Sequence, residues 1–354
     1  MNLKPFSLIL AVFMICTSCG TGSSKKVSDG QDLKVTLIDR SDEKKIDIMI
    51  GDKFFTSFFW PENVYKPVLY PVHTSAGTVV TRGFPLNPRE GESTDHAHHI
   101  GIWLNYGDVN GIDFWGNGHS GALNPKGGVI KHLNVEKLSD GVNRGVIISN
   151  ESWVDPAGKE MLSEKTEYYF SGKGSARIID RITTLTATGG DMKFKDTKEG
   201  MFGIRVARQL QLPAKEDMTL QEKQGGTTTV KAQGESDITG NYRSSEGITG
   251  EDVWSTRAKW MNLYGRIGEE SVSIIVCDHP SNISYPTYWH ARGYGLFAAN
   301  PLGANDFTQG REQVNFVIPA GKSATFRYRV IVHSGADLTD AEINAFADEF
   351  ASMY

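Results

Sequence analysis

The segment Gly145–Leu185 decides the fold of this chain and reads GVIISNESWVDPAGKEMLSEKTEYYFSGKGSARIIDRITTL. Three stretches of it alternate apolar and polar side chains with the period of two that β-strands show. These stretches are Gly145–Val154, Lys165–Phe170 and Ala176–Leu185. Between them lie Asp155–Gly158 and Ser171–Gly174, which are rich in turn-forming residues. We therefore predict three neighbouring antiparallel strands joined by hairpin turns.

Similar strand signals occur on both sides of this segment. On the amino-terminal side they are Lys34–Ile38, Ile46–Ile50, Lys53–Trp60, Thr78–Thr81 and Ile100–Leu104. On the carboxyl-terminal side they are Gly200–Leu212, Thr227–Lys231, Lys259–Tyr264, Ser271–Cys277, Gln313–Ile318 and Ser323–Val332. Glycine, threonine and serine are concentrated in Gln221–Gly250, which we expect to be the longest loop or a lid.

Only Thr339–Met353 has the period of an amphipathic helix. Thr339 and Glu342 have the spacing of a capping box. The predicted apolar face consists of Ile343, Phe346, Ala347, Phe350 and Ala351. No βαβ alternation is present, so the pattern predicts an all-β fold. We expect a large antiparallel β-sandwich, two sheets packed face to face, with this C-terminal α-helix on the sheet exterior.

The amino terminus has the pattern of a bacterial lipoprotein signal. Lys4 precedes the apolar stretch Phe6–Cys16, and small residues lead to Cys19 and the flexible run Gly20–Ser24. We predict a signal peptide over 1–18, acylation of Cys19, a tether over 19–33 and a single domain over 34–354. No acidic cluster follows Cys19, which favours a cell-envelope protein facing the periplasm.

Composition limits the classes of partner. The net charge is -5, and no basic stripe of the kind that binds nucleic acid is present. Cys277 is the only cysteine after the predicted lipid-modified Cys19, which excludes an intramolecular disulfide in the mature chain. We expect a small-molecule or oligosaccharide substrate and membrane contact through the lipid anchor alone, with the oligomeric state open.

A histidine cluster, Thr94–His99, carries the clearest chemical signal. In an extended segment His96 and His98 share one face, roughly 7 Å apart, while Asp95 and His99 point to the other. Two such imidazoles can bind a divalent transition metal or act in acid–base catalysis. The alternative is that these histidines only cap backbone groups.

Two later blocks add functional groups. In Asp196–Arg205, Glu199 and Arg205 have the same strand parity. In Tyr285–Gly295, an aromatic side chain, an imidazole and a guanidinium alternate along one predicted strand face. These three residues are Tyr288, His290 and Arg292. Asp278 closes a strongly apolar strand, where side chains often line sites.

Together these blocks resemble the bacterial PmoA-like family, which is labelled "methane oxygenase PmoA" and otherwise treated as a domain of unknown function. The matching blocks are Asp95–Trp103, Asp113–Trp115, Lys198–Arg205, Tyr288–Gly295 and Asn300–Gly303, within Phe54–Val332. Oxygenase chemistry does not fit, because no apolar run of about 18 residues follows Cys19. The resemblance implies an exported protein of glycan-degrading bacteria, with a fold like the supersandwich of aldose mutarotases and polysaccharide lyases.

We therefore expect an exported carbohydrate-active lipoprotein with lyase, epimerase or hydrolase chemistry on a glycan-derived sugar or keto-glycoside. His98 or His290 would move a proton, with Glu199 as partner. Arg205 or Arg292 would stabilise an oxyanion. The candidate catalytic residues are His98, His99, Glu199, Arg205, His290 and Arg292. The candidate substrate contacts are Trp103, Trp115, Asp278, Tyr288, Trp289 and Asn300, and the candidate metal ligands are His96 and His98.

Two alternatives remain at this point. A non-catalytic glycan-binding lipoprotein would use the aromatics to stack sugars and the histidines only to hydrogen-bond. A structural partner in an envelope complex would need only the anchor. Hydrolysis by a simple carboxylate pair is less favoured, because no acidic pair stands out.

Overall fold

The computed structural model describes Met1 and residues 32–119, 126–213, 218–221, 227–230 and 237–354. The predicted signal peptide, Cys19 and most of the tether therefore lie outside the described residues. No helix in the described part of the chain combines the length and apolar character needed to cross a membrane.

The described chain is built mainly of strands, with few helices. The strands are β1 (Lys34–Arg40), β2 (Lys45–Ile50), β3 (Lys53–Phe59), β4 (Val68–Leu69), β5 (Ile102–Tyr106), β6 (Val129–Ser139), β7 (Gly141–Val142), β8 (Gly145–Val154), β9 (Glu160–Lys173), β10 (Ala176–Ala187), β11 (Met192–Phe194), β12 (Gly200–Arg205), β13 (Met218–Gln221), β14 (Thr227–Val230), β15 (Asn241–Ser244), β16 (Trp260–Ile267), β17 (Glu270–Asp278), β18 (Tyr288–Ala291), β19 (Leu296–Asn300), β20 (Phe316–Ile318) and β21 (Ser323–Ser334). The α-helices are α1 (Ala304–Phe307) and α2 (Asp340–Met353), and short 3-10 turns occur at Ser41–Glu43, Arg208–Leu210 and Gly250–Val253.

Two large antiparallel sheets dominate the architecture. The nine-stranded sheet has the order β18-β19-β12-β5-β4-β3-β2-β1-β7, and the eight-stranded sheet has the order β15-β16-β17-β21-β10-β9-β8-β6. Two-stranded ladders join β11 to β20 and β13 to β14. The expected all-β sandwich with a C-terminal helix is confirmed.

The segment that predicts the fold forms three consecutive strands of the eight-stranded sheet, next to β6 at its edge. β8, β9 and β10 pair as consecutive antiparallel strands. Asp155 shapes the first turn, because its carboxylate accepts hydrogen bonds from the backbone N–H groups of Ala157 and Lys159. Gly174 has a φ of 56° in the second turn, a conformation that favours glycine.

Side chains on β10 alternate between two apolar layers. Ile179 and Leu185 join the large core between the sheets, which also contains Phe58 of β3. Ile178 and Ile182 face the opposite way and contact the second cluster, beneath α2. The period of two therefore buries both faces of this central strand.

Helix α2 covers the outer face of the eight-stranded sheet. Thr339 is its N-cap and forms both bonds of the capping box with Glu342. Ile343 and Phe350 are fully buried against the sheet. Cys277 is a buried, free cysteine in the same cluster. The sequence-based assignment of this helix is confirmed.

Three predicted segments differ from the structure. Thr78–Thr81 makes only isolated bridges, from Val79 to His73 and from Thr81 to Val206. The strand expected over Gly200–Leu212 ends at Arg205, because the chain then turns into a 3-10 helix. The expected loop Gln221–Gly250 contains β14 and β15, while 222–226 and 231–236 lie outside the described residues.

Sheet topology brings the distant functional blocks together. β5, β12, β19 and β18 are consecutive neighbours, and the residues before or within them carry the predicted groups. Across these strands one row of residues lies in register: Trp103, Gly203, Ala298 and His290. Gly203 is required here, since a Cβ at this position would lie 2.6 Å from the Trp103 ring. The absence of a side chain at Gly203 therefore lets the Trp103 ring pack over the sheet.

Candidate functional site

A cavity of about 570 Å³ lies on the outer face of the nine-stranded sheet, above this row. It is lined by His96, His98, His99, Gly107, Asp113, Trp115, Gly116, Lys198, Glu199, His290, Arg292 and Tyr294. All three functional blocks of the sequence therefore contribute to one cavity.

Another cavity, of about 370 Å³, lies between β9, β21 and α2. Its buried charges already have partners, because Arg329 pairs with Asp180 at 2.6 Å and with Glu349 at 3.2 Å. The cavity on the nine-stranded sheet is therefore the better candidate for chemistry.

The histidine segment forms a turn and not the expected strand. The backbone N–H of His99 donates to the carbonyl oxygen of His96 over 2.9 Å, and His96 has a φ of 45°. The turn brings the three imidazoles of His96, His98 and His99 together. His96 and His99, expected on opposite faces, stack with ring centroids 4.9 Å apart.

This stack extends from the cavity surface into the protein. Tyr294 lies over His96 at 5.4 Å, and His99 lies over Trp103 at 5.2 Å, with nearly parallel rings in both pairs. Trp103 is fully buried, while the side chain of His96 is 43% exposed. Trp103 therefore supports the stack from behind and does not itself line the cavity.

Two buried arginines hold the turn. Oδ1 of Asp95 accepts from Arg82 at 3.0 Å and from Arg205 at 2.8 Å. Arg82 also donates to the carbonyl oxygens of His96 at 2.9 Å and His99 at 3.2 Å. Burial alone would raise the pKa of Asp95, but its bond to His96 and the two guanidiniums hold that pKa well below its usual value.

Arg205 takes a different position from the one expected for an oxyanion-stabilising group. Its side chain is fully buried, and it bonds Asp95 and, at 3.1 Å, the hydroxyl of Ser93. Its guanidinium lies 4.8 Å from the centre of the Tyr294 ring. Arg205 therefore lies behind Tyr294 and is not part of the cavity lining.

Both inner histidines of the turn are uncharged. Burial, followed by the charges of Lys66 and His96, keeps the pKa of His98 well below its usual value. Burial and then His98 and Arg205 do the same for His99. Nε2 of His99 is buried and has no hydrogen-bond partner among the described residues.

The expected metal site is not supported. Within the described ranges, no group of three or more His, Cys, Asp or Glu residues is arranged to hold a metal ion. The rings of His96 and His98 lie with their centroids 5.6 Å apart, and Nδ1 of His96 is engaged by the carboxylate of Asp95. Two residues without a third ligand do not form a metal centre of the usual kind.

His290 sits at the other side of the cavity, on β18. Its Nδ1 lies 2.8 Å from the carbonyl oxygen of Lys198. A carbonyl oxygen only accepts, so Nδ1 carries the proton and Nε2 is left as an acceptor. Burial lowers the pKa of His290 to about 4, although its bond to Lys198 opposes this, so the imidazole is neutral at pH 7.

Glu199 follows Lys198 directly and lines the same cavity. Its side chain is 36% exposed, and the ammonium of Lys198 lies 4.0 Å from its carboxylate. Burial raises the pKa of Glu199 above its usual value, partly opposed by Lys198 and His96. A neutral imidazole and a carboxyl group with a raised pKa therefore share one cavity.

Besides Trp103, four of the expected substrate contacts lie away from the cavity lining. Trp289 faces the core, because it alternates with His290 on β18, and its indole donates to Ala258. Tyr288 packs on Phe307 and donates to Glu312 at 3.1 Å. The other two are the buried residues Asp278 and Asn300.

Asp278 and Asn300 organise backbone turns. The carboxylate of Asp278 accepts from the backbone N–H groups of His279 and Thr287, and burial raises its pKa to about 7. The amide of Asn300 donates to the carbonyl oxygen of Thr197 at 2.8 Å. Asn300 thereby positions the chain that leads to Glu199.

Trp115, in contrast, does line the cavity, and its buried indole N–H has no partner among the described residues.

Sequence reasoning missed Lys66 and Arg82. Lys66 is 1% exposed and donates to the carbonyl oxygen of His98 at 2.8 Å. Burial lowers the pKa of Lys66 to about 7, partly opposed by Asp113. The available signal was a lone cation inside a largely apolar run, in Val64–Leu69 for Lys66 and in Val79–Phe84 for Arg82.

Fold and site together define a β-sandwich protein with a polar, aromatic-walled cavity on one sheet face. The chain belongs to the family of unknown function DUF6807, whose model matches residues 45–348. This match agrees with the expected domain of unknown function, and it gives no support to the PmoA label. No curated protein sequence matches the chain.

Several solved structures are similar at low identity. The galactosidase domain of an alpha-galactosidase-sucrose kinase is 10% identical, with a TM-score of 0.39 over 85% of this chain and 42% of its own. A beta-arabinopyranosidase is 12% identical, with a TM-score of 0.32 over 86% of this chain and 38% of its own. A galactose 1-epimerase from Lactobacillus acidophilus is 10% identical, with a TM-score of 0.35 over 86% of this chain and 100% of its own. The chain thus spans less than half the length of the first two structures.

Proposed function

We propose that this protein is a carbohydrate-active enzyme that transfers protons to and from a sugar, with His290 as general base and Glu199 as general acid. The chemistry is that of an epimerase or a lyase. The observation that carries the proposal is the bond from Nδ1 of His290 to the carbonyl oxygen of Lys198. It fixes a neutral imidazole with Nε2 as acceptor, in the same cavity as Glu199.

The two groups suit opposite roles. His290 has a lowered pKa and is ready to accept a proton, while Glu199 has a raised pKa and holds its proton to a higher pH. Environments that push the pKa values of two nearby groups apart are typical of acid–base pairs. In the proposed step, Nε2 of His290 takes a proton from the substrate, and Glu199 delivers a proton to the oxygen or carbon that accumulates charge.

A sugar fits the walls of the cavity. Tyr294 and Trp115 provide aromatic surface, and carboxyl, imidazole and guanidinium groups surround it. Sugar rings combine apolar C–H faces with many hydroxyl groups, so they use both kinds of wall. Hydrolysis by a carboxylate pair is not part of the proposal, because the groups with opposed pKa shifts here are an imidazole and one carboxyl.

A substrate screen with variants tests the proposal. Purified protein is assayed against glycosides, keto-glycosides, uronate oligomers and free aldoses, with product detection by NMR. On a substrate that is turned over, His290→Gln and Glu199→Gln should each lower kcat by at least about a hundredfold, with much smaller changes in sugar affinity. His333→Gln is the matched control, since His333 lies on β21 and contacts Ser175.

A different outcome identifies the non-catalytic glycan-binding protein. If no sugar in the screen is converted while calorimetry detects sugar binding that both variants weaken, the cavity is a binding site alone. Export and lipid anchoring through Cys19 belong to the same proposal, with a cell-envelope location facing the periplasm. They rest on the sequence pattern of residues 1–24.

A further inference from the structure

Arg292 is held at the cavity in a way that leaves its charge available. Its guanidinium lies 5.5 Å from the centre of the Trp254 ring and 6.0 Å from that of Tyr294. Within the described residues, no carboxylate lies at ion-pair distance from it. Aromatic neighbours hold a guanidinium in place without neutralising it.

The wall behind the turn carries a further positive charge. Arg82 and Arg205 are both buried, and the single carboxylate of Asp95 serves both. The Nε atoms of both arginines are buried without a hydrogen-bond partner in the described part of the chain. One carboxylate between two guanidiniums leaves one cation in excess, in a medium that screens charge poorly.

The other carboxylates of the cavity are each matched by a cation. Glu199 lies 4.0 Å from the ammonium of Lys198. Asp113 is near enough to Lys66 to raise the pKa of that buried amine. After these pairs are matched, Arg292 and one of the two buried arginines remain uncompensated. The cavity therefore has a positive potential in the absence of substrate.

We infer that the substrate of this site is an acidic sugar, whose oxyanionic group, a carboxylate or a sulfate ester, is bound by Arg292. The inference rests on the proposed function and adds the chemical class of the substrate. The planar fork of arginine matches a carboxylate in a bidentate arrangement and also fits other oxyanions. The buried cations behind the turn stabilise the same negative charge at longer range.

Isothermal titration calorimetry on matched sugars tests this inference. The probes are trimers of galacturonate, glucuronate and mannuronate, the corresponding neutral hexose trimers, and 6-sulfated forms of the neutral trimers. At least one acidic trimer should bind at least tenfold more tightly than its neutral counterpart. The preference should shrink as salt increases, because ionic strength screens the attraction.

Variants connect the preference to Arg292. Arg292→Gln should weaken binding of the acidic trimer at least tenfold more than binding of the neutral trimer, while Arg292→Lys should keep part of the preference. Arg266→Gln is the matched control, since Arg266 lies on β16 in the other sheet. Circular dichroism establishes that each variant is folded.

The outcomes separate the two proposals. Tighter binding of a uronate or of a sulfated trimer supports the inference and identifies the oxyanion. Equal affinity for neutral and acidic trimers, or a preference that survives in Arg292→Gln, overturns the inference and leaves the proposed acid–base function intact. Absence of both binding and turnover across the panel overturns both.

Discussion

Nδ1 of His290 donates to the carbonyl oxygen of Lys198 across 2.8 Å, so the proposed base on β18 is tied to the residue that precedes the proposed acid. The bond has two effects at once. It fixes the tautomer of His290, and it holds the chain around Glu199 against the end of β18. A change in either residue should therefore affect proton transfer through the other.

The first prediction concerns the pH dependence of turnover. His290 works as a base only when neutral, so kcat/KM should fall as pH drops through about 4. Glu199 works as an acid only when protonated, so kcat/KM should also fall as pH rises through its raised pKa. The measurement is a pH profile of kcat/KM on a converted sugar, which should be bell-shaped. In His290→Gln the residual kcat/KM should no longer fall at low pH. If that fall is unchanged, it must be assigned to another group.

The second prediction concerns the buried charges behind the turn. Asp95→Asn leaves the guanidiniums of Arg82 and Arg205 without their carboxylate. Removing one partner from a buried ion pair costs about 3–5 kcal/mol in the free energy of unfolding. Urea denaturation at pH 7 measures the loss. Glu136→Gln is the control, because Glu136 and its partner Lys165 are both exposed and the change should be small.

The same carboxylate gives stability a pH dependence of known sign. The pKa of Asp95 is depressed in the folded protein, so its contribution is fully present above its unfolded pKa of about 4 and is lost as pH falls below that value. Between pH 7 and pH 3 the wild type should therefore lose more stability than Asp95→Asn. Parallel stability curves for the two proteins would contradict this assignment.

Sequence alone predicted the sheets and the three blocks that carry functional groups, but not that these blocks converge. Strand alternation and hairpin turns predict the sandwich, whereas the strand order β18-β19-β12-β5, which brings the blocks together, is seen only in the structure. Strand parity also separates His290, at the cavity, from Trp289, in the core. Local sequence signals fail where a side chain acquires its role only through tertiary contacts.

Three particular residues illustrate that limit. Lys66 and Arg82 are single cations with no neighbouring motif, and only burial beside the turn gives them partners. His96 adopts a positive φ, which converts the expected strand into a turn. The two-residue alternation of a strand does not predict that change, because the contacts that hold the turn come from Arg82 and Arg205, elsewhere in the chain.

The third prediction concerns the anchor. Cys19→Ala removes the sulfur that a lipid chain would modify, so the variant should lose membrane association and appear in the soluble fraction or as an unprocessed precursor. Fractionation with labelled palmitate measures both effects. Cys277→Ala is the control, since that thiol is buried in the folded domain. Unchanged membrane partitioning of Cys19→Ala would remove the lipoprotein assignment.

The last prediction concerns a second buried carboxylate, inside the sandwich. Glu151 is 2% exposed, its Oε2 has no partner among the described residues, and it lies beside the ion pair of Glu164 with Arg181 at 2.9 Å. Burial, and then the charge of Glu164, raise the pKa of Glu151 well above its usual value.

Glu151 gives the free energy of unfolding a pH dependence opposite in sign to that given by Asp95. The unfolded chain releases the proton of Glu151 above a pH of about 4.5, while the folded protein retains it, so this group makes stability fall as pH rises. Glu151→Gln keeps the shape without a titrating proton and should be at least as stable as the wild type at pH 7. Glu164→Gln should be clearly less stable, because Arg181 loses its partner. Thermal unfolding of both variants from pH 4 to pH 8 measures this difference in stability. A large loss of stability in Glu151→Gln at pH 7 would mean that Glu151 is ionised in the folded protein.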